Sequence, residues 1–180
     1  MAKTPKILSQ QLIAETRLFR VEQLELEFDN GQQRSYERLL GGDRGSVLVV
    51  PMLDDDTVLL IREYSAGSHD YQLGLPKGRM EAGEEPLQAA NREMCEEVGY
   101  AARDLSLLKT FTIAPAYIRH HTYVILARDL YPNQLVGDEP EPIEVVPWKL
   151  SDWDNLINQP DLTEARAIAA LYMTRNFLKK

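Results

Sequence analysis

At 180 residues, 44% of them hydrophobic, the chain suits one globular domain with room for a small appendage. Its formal net charge of −8 argues against binding a nucleic-acid polymer, which requires basic patches. The single cysteine, Cys95, excludes an internal disulfide, no apolar run approaches the roughly 20 residues of a membrane span, and MAKTPKILSQ lacks an apolar signal core, so a cytoplasmic protein is expected.

Residues 1–45 read as an N-terminal extension of short strands. In RLFRVEQLELEF the apolar residues Phe19, Val21, Leu24, Leu26 and Phe28 alternate with polar ones, Asp29-Asn30-Gly31 marks a tight turn, and QQRSYERLL returns as the partner strand of a hairpin. GGDRG (41–45) is a flexible connector to a second domain spanning 46–180. There SVLVVPML and TVLLIREYS form a strand pair around Asp54-Asp55-Asp56, which reads as a solvated turn because no calcium-loop spacing follows. YQLGLPKGRM leads into a glycine-containing loop and a helix with Pro86 early in it, as a helix start favours. LSLLKTFTIAP, HHTYVILARDL and EVVPWKL supply further strands. His120 and His121, adjacent in one of them, are expected to face opposite ways and to be structural. DWDNLINQP and LTEARAIAALYMTRNFLKK close the chain as helices, the latter with Ala167, Ala170, Leu171 and Phe177 at helical spacing and basic residues toward its end. This order implies a mixed sheet with helices on both sides, an α/β/α sandwich.

The chemistry concentrates in residues 78–100, GRMEAGEEPLQAANREMCEEVGY. Leu87, Ala90, Met94 and Val98 recur at helical intervals as an apolar stripe. Glu93, Glu96 and Glu97 sit at i, i+3 and i+4, so they share the other side of the same helix. Three neighbouring carboxylates repel one another, and a hard divalent cation would relieve that repulsion; oxygen ligands are what Mg²⁺ or Mn²⁺ prefers. Such ions neutralise charge on a pyrophosphate and lower the pKa of an attacking water. Cys95, inside this helix, reads as packing rather than as a nucleophile.

The fixed points Gly78, Glu84, Arg92, Glu93, Met94, Glu96, Glu97, Gly99 and Tyr100 fit the Nudix box with no misses, so the chain resembles the Nudix hydrolases, which cut nucleoside diphosphates linked to another moiety. IREYSAG, LGLPKG and Pro115 place the resemblance in the ADP-ribose pyrophosphatase branch, with departures at Ser65, where that branch often has arginine, and at Lys77, where it often has alanine. IREY, AANRE, EEVG, APAY, DLYP, GDEPEP and EAR extend it to a bacterial group that hydrolyses ADP compounds.

The resemblance implies a Mg²⁺-dependent (or Mn²⁺-dependent) release of AMP from ADP-ribose, NADH or diadenosine di- and triphosphate. It assigns Glu93 and Glu97 as metal ligands, Glu96 as a ligand directly or through water with a catalytic part as well, and the Lys77 carbonyl as a further ligand. Arg92 and Glu84 are expected to form an ion pair that orients Glu93. Gly78 and Gly99 belong to the scaffold of the motif. The loop GDEPEP (137–142) matches a mobile acidic loop that supplies the general base in related enzymes, with Glu139 the leading candidate and Glu141 the next. Arg62, Glu63, Glu37, Arg38 and Arg119 are candidates for substrate contact, Glu37 and Arg38 across the interface of a homodimer formed through residues 1–45. Tyr36, Tyr64 and Tyr117 are expected to be buried in packing rather than to stack on adenine. A nucleoside-diphosphate-sugar pyrophosphatase and a non-catalytic nucleotide sensor are the alternative readings.

Overall fold

The computed structural model describes residues 3–42 and 44–178; Asp43 of the connector and the basic Lys179 and Lys180 lie outside the described residues. In chain order the elements are β1 (Lys6–Glu15), β2 (Arg20–Glu27), β3 (Gln33–Leu40), β4 (Ser46–Pro51), β5 (Thr57–Ser65), β6 (Asp70–Gly74), β7 (Lys77–Arg79), α1 (Pro86–Glu97), β8 (Tyr100–Thr112), β9 (Ile118–Arg119), β10 (His121–Pro132), β11 (Glu144–Lys149), α2 (Trp153–Ile157) and α3 (Ala165–Leu178). They group into two compact units, one of the residues up to Gly45 with Thr112–His121, the other of Ser46–Phe111 with Thr122 onward.

The first unit is one sheet in the order β1-β2-β3-β9. The expected hairpin is there, with β2 and β3 antiparallel from Arg20↔Leu40 to Glu27↔Gln33. Gly31 closes its turn at φ 76°, a left-handed conformation that glycine takes without a Cβ penalty. β1 adds an antiparallel edge strand, Lys6↔Glu27 through Glu15↔Arg20, that the alternation argument does not reach. All ten of its residues are exposed, so the sequence has no buried face to encode. The histidine pair departs from expectation. His120 falls in the break between β9 and β10 rather than within a strand, and the two rings lie side by side, 6.4 Å apart with planes at 28°.

The second unit holds two sheets, β7-β4-β10-β8 and β11-β5-β6, where a single mixed sheet was expected. β4 runs parallel to β10 and antiparallel to β7, while β5 is antiparallel to both β6 and β11. Successive residues of a strand point to opposite faces, and here both faces are covered. Leu48 and Val50, Val58 and Leu60, and Val124 and Leu126 enter one core with Leu156 of α2 and Ala167, Ala170 and Leu171 of α3. The alternate residues Val47 and Val49, Leu59 and Ile61, and Ile125 and Ala127 enter the other with Ala89, Ala90 and Met94 of α1. That division explains the unbroken apolar runs of β4, β5 and β10 and makes the unit an α/β/α sandwich.

Three local readings change. Leu87 is 39% exposed and Phe177 47% exposed, and their places in the helix faces go to Ala89 and Thr174. Rotating α1 onto Ala89 carries Glu93 and Glu97, one and two turns on, into the buried face instead of the opposite one. The Asp54-Asp55-Asp56 turn is more than solvated. Asp54 accepts the N–H groups of Asp56 and Thr57 at 2.8 and 2.7 Å, and Asp56 accepts the hydroxyl of Ser151 at 2.7 Å.

Met94 and Leu87 therefore separate in a urea melt. Met94→Ala, emptying a fully buried site, is expected to cost about 2–5 kcal/mol, whereas Leu87→Ala costs less than about 1 kcal/mol. Equal losses would mean that α1 packs through a different face.

Candidate active site

The site is built on α1 and the strand before it. Pro86 opens the helix, and the Gln88 side chain accepts the Glu85 N–H at 3.0 Å, a reciprocal cap that fixes the first turn. Gly99 ends the helix at φ 74°, and a Cβ there would lie 2.4 Å from the Gln134 side chain. Gly78, on β7, has no room for a side chain: a Cβ would fall 2.0–2.2 Å from the Glu93 carboxylate. These two glycines set the spacing of the motif at its ends by geometry.

Arg92 organises the acidic face. Its guanidinium makes a fork with Glu84, Nε to Oε1 at 2.9 Å and Nη2 to Oε2 at 3.0 Å, the strong bidentate arrangement. Nη1 donates to Glu93 at 2.8 Å and to Glu96 at 3.1 Å, and Nη2 also donates to the Arg79 carbonyl at 3.0 Å. Glu84 in turn accepts the Glu81 N–H at 2.9 Å. The Arg92 hydrogen bond holds Glu84 below the usual carboxylate range. Glu93, by contrast, is pushed above that range because burial outweighs Arg92.

Glu97 is buried to the same extent, each of the two being 8% exposed, and desolvation likewise drives its carboxyl upward. It accepts the backbone N–H of Lys77 at 3.0 Å. The Lys77 ammonium contacts Glu63 and attracts Glu97, Glu164 and Glu139. Among the described residues, Glu63, Glu97 and Glu139 bring carboxylate oxygens within 4.8 Å of one another. Three segments distant in sequence thus converge: the end of β5, the end of α1 and the acidic loop. The two members with buried or partly buried oxygens, Glu97 and Glu63, with one ammonium to offset them, offer hard donors that fit a divalent cation, and the exposed Glu139 stands beside them.

The other candidate residues divide. Arg62 is spent on two carboxylates, Glu144 at 2.6 Å and Asp161 at 2.9 Å. Glu63 joins the carboxylate group. Glu141 does not; it accepts the Tyr71 hydroxyl at 2.5 Å. In the first unit, Arg38 pairs with Glu22 at 2.7 Å across β2 and β3, while Glu37 and Arg119 are exposed. The tyrosine expectation is overturned, because Tyr36, Tyr64 and Tyr117 are 46%, 48% and 57% exposed.

Sequence reasoning missed several participants. Tyr71, which the sequence does not single out, lines a cavity of about 350 Å³ with Tyr64, Arg62, Glu63 and the loop from Glu139 to Glu144. Glu164 accepts the Ala167 N–H at 3.1 Å at the start of α3, and Arg166 reaches Thr122 at 3.1 Å. Both act electrostatically on Lys77. The EAR triplet was the only trace of them, and it carries no spacing that would reveal a site. Cys95 behaves as expected, buried, hydrogen-bonded by Asn133 at 3.2 Å and shifted away from thiolate formation by burial.

Comparison with known proteins fits this geometry. Residues 5–38 match the NudE-type Nudix hydrolase N-terminal domain, and residues 42–171 match the NUDIX domain. The chain is 46% identical over 175 residues to the ADP compounds hydrolase NudE of Escherichia coli (strain K12), covering 97% of this chain and 94% of that protein. It is 27% identical over 173 residues to the ADP-ribose pyrophosphatase of Bacillus subtilis (strain 168), covering 92% of each. A crystal structure of an ADP compounds hydrolase superposes with a TM-score of 0.92 at 45% identity, covering 99% of this chain and 96% of that one. With its box intact and its carboxylates gathered at the end of α1, the chain belongs to the Nudix hydrolase family.

Proposed function

We propose that the protein hydrolyses the pyrophosphate bond of ADP-linked metabolites, ADP-ribose, NADH and diadenosine di- and triphosphate among them, releasing AMP. The observation that carries this reading is the convergence of Glu139 with Glu97 and Glu63. Likeness to hydrolases of ADP compounds and ADP-ribose supports the substrate class.

Glu93 and Glu97 would hold divalent ions, Mg²⁺ or Mn²⁺, with Glu96 and the Lys77 carbonyl adding ligands and Glu63 joining them by its position. Bound there, such ions neutralise pyrophosphate oxygens and make water a better nucleophile. Glu139 takes the proton as water attacks one phosphorus, and the bridging P–O bond breaks to leave a phosphate monoester. Arg92 and Glu84 fix the rotamers of Glu93 and Glu96, so that oxygens face the substrate without reorganisation. The exposed Glu37, and Arg38 beside its partner Glu22, are proposed to reach substrate across the interface of a homodimer formed through the N-terminal strands, and the exposed Arg119 is proposed to contact phosphate. No helix among the described residues is long and apolar enough to cross a membrane. A cytoplasmic location is part of the proposal and rests on the likeness to the ADP compounds hydrolase of Escherichia coli.

Three outcomes are expected. First, AMP appears from ADP-ribose, NADH and diadenosine triphosphate with Mg²⁺ and not with EDTA, while ADP-glucose stays largely intact. Preference for ADP-glucose would indicate a nucleotide-sugar enzyme, and silence across the panel a binding role. Second, Glu139→Gln lowers kcat by about 10²–10⁴ with Mg²⁺ affinity retained; an unchanged rate would pass the role to Glu141, and unchanged rates in both Glu139→Gln and Glu141→Gln would place the base elsewhere, Glu93 being next.

Third, metal stabilisation rises with pH. Burial raises Glu93 and takes Glu97 up to about 8, so in the metal-free protein their contribution to stability is complete below the ordinary 4.5 and is lost as pH rises toward 8. Cations compete with those protons. The melting-temperature gain from Mg²⁺ should therefore be larger at pH 8 than at pH 6, and a gain independent of pH would mean that these carboxylates do not hold the ion.

A further inference from the structure

The acidic loop is held at both ends by side chains. At its start, the Gln134 amide donates to the carbonyls of Cys95 and Glu96, both at 3.2 Å, and the Leu135 N–H donates to Cys95 at 3.0 Å, which ties the chain to the C-terminal end of α1. At its far end, Glu144 is clamped by Arg62 at 2.6 Å. Among the described residues, those between, 138–143, make a single side-chain hydrogen bond, from the Tyr71 hydroxyl to Glu141 Oε1 at 2.5 Å. The Tyr71 ring is itself braced edge-on by Tyr64, 6.0 Å away at 70°, and the Tyr64 hydroxyl is 2.7 Å from His69 Nδ1. The donor thus stands on β6, a strand paired with β5, and not on another loop.

We propose that Tyr71 is a positioning residue: its hydroxyl, by holding Glu141, fixes the acidic loop so that Glu139 stands beside Glu97 and Glu63. This rests on the reading of Glu139 as the general base. The tether matters because Glu139 faces two carboxylates with one ammonium, that of Lys77, to set against them, and like charges repel. Pro140 separates Glu139 from Glu141, and its ring locks φ, so that anchoring one glutamate restricts the other. The role of Glu141 is then to accept a hydrogen bond, which an amide oxygen also does, though more weakly than a carboxylate.

Steady-state kinetics on ADP-ribose with Mg²⁺ test this in Tyr71→Phe, Glu141→Leu, Glu141→Gln and the double variant Tyr71→Phe/Glu141→Leu. Tyr71→Phe and Glu141→Leu should each lower kcat about tenfold, the rate equivalent of one hydrogen bond to a charged acceptor, with KM little changed. The double variant should be no slower than either single one, and Glu141→Gln should stay within about threefold of wild type because it still accepts the phenol proton. Amide exchange over 138–143 should quicken in Tyr71→Phe while that of β5 and β10 does not, a local effect that general destabilisation would not produce. Wild-type kcat in Tyr71→Phe, multiplicative losses in the double variant, or a Glu141→Gln as slow as Glu141→Leu would each overturn the tether. Glu139→Gln, run in parallel, separates the two readings. A wild-type rate there overturns the base assignment and what the tether serves. A slow Glu139→Gln beside a wild-type Tyr71→Phe overturns the tether alone.

Discussion

Two glutamates on the buried face of a helix impose the constraint around which the rest of the site is arranged. Glu93 and Glu97 are each 8% exposed, and a carboxylate taken out of water must be neutralised, paired or protonated. The surroundings answer this differently for the two. Glu93 receives a guanidinium that Glu84 holds in place, together with a glycine, Gly78, whose missing side chain leaves space for the carboxylate. Glu97 receives a backbone N–H and the field of the Lys77 ammonium. Neither answer brings the carboxyl back to its ordinary range, so a strong demand for positive charge persists at the end of α1. That residual demand is one that a divalent cation can meet.

Such a demand can be met without loss of the fold only if α1 is held by more than its own charges. The alternating residues of β4, β5 and β10 supply that hold, one set packing under α1 and the other under α2 and α3. Because both faces of these strands are buried, a register slip by one residue would exchange two complete cores. The helix is therefore fixed in rotation, and with it the direction of the glutamates. Rotation matters to the chemistry: turning α1 so that Leu87 were buried would expose Glu93 and Glu97 to water and remove the upward shift of both.

The legible part of the sequence was the part whose residues lie close together along the chain. Gly78, Glu84, Arg92 and the three glutamates share one loop and one helix, so helical spacing brings the three glutamates together and the resemblance to the Nudix box implies the pair of Arg92 with Glu84 that the structure contains. The hairpin of β2 and β3 was legible for the same reason, through alternation and a turn glycine. β1 was not, since a strand exposed along its whole length carries no pattern of burial. Glu63 could be read only as a pocket residue, because its approach to Glu97 depends on how β5 pairs with its neighbours rather than on any local repeat. The side-by-side histidines were misread because a break in the strand removes the alternation on which that inference rested.

The acidic loop shows why composition could not settle which carboxylate serves the chemistry. Asp138, Glu139 and Glu141 are alike in type and near in sequence, and on a bare loop they would be interchangeable. Their difference arises from partners outside the loop: Glu139 is set against other carboxylates, Glu141 against a phenol. The first stands among the groups proposed to meet a cation and its water, whereas the second is engaged by a hydrogen-bond donor outside that group. The division of labour proposed for two glutamates separated by one proline thus rests on neighbours in β6 and α1, and a loop with the same composition above a different pair of neighbours would support no such assignment.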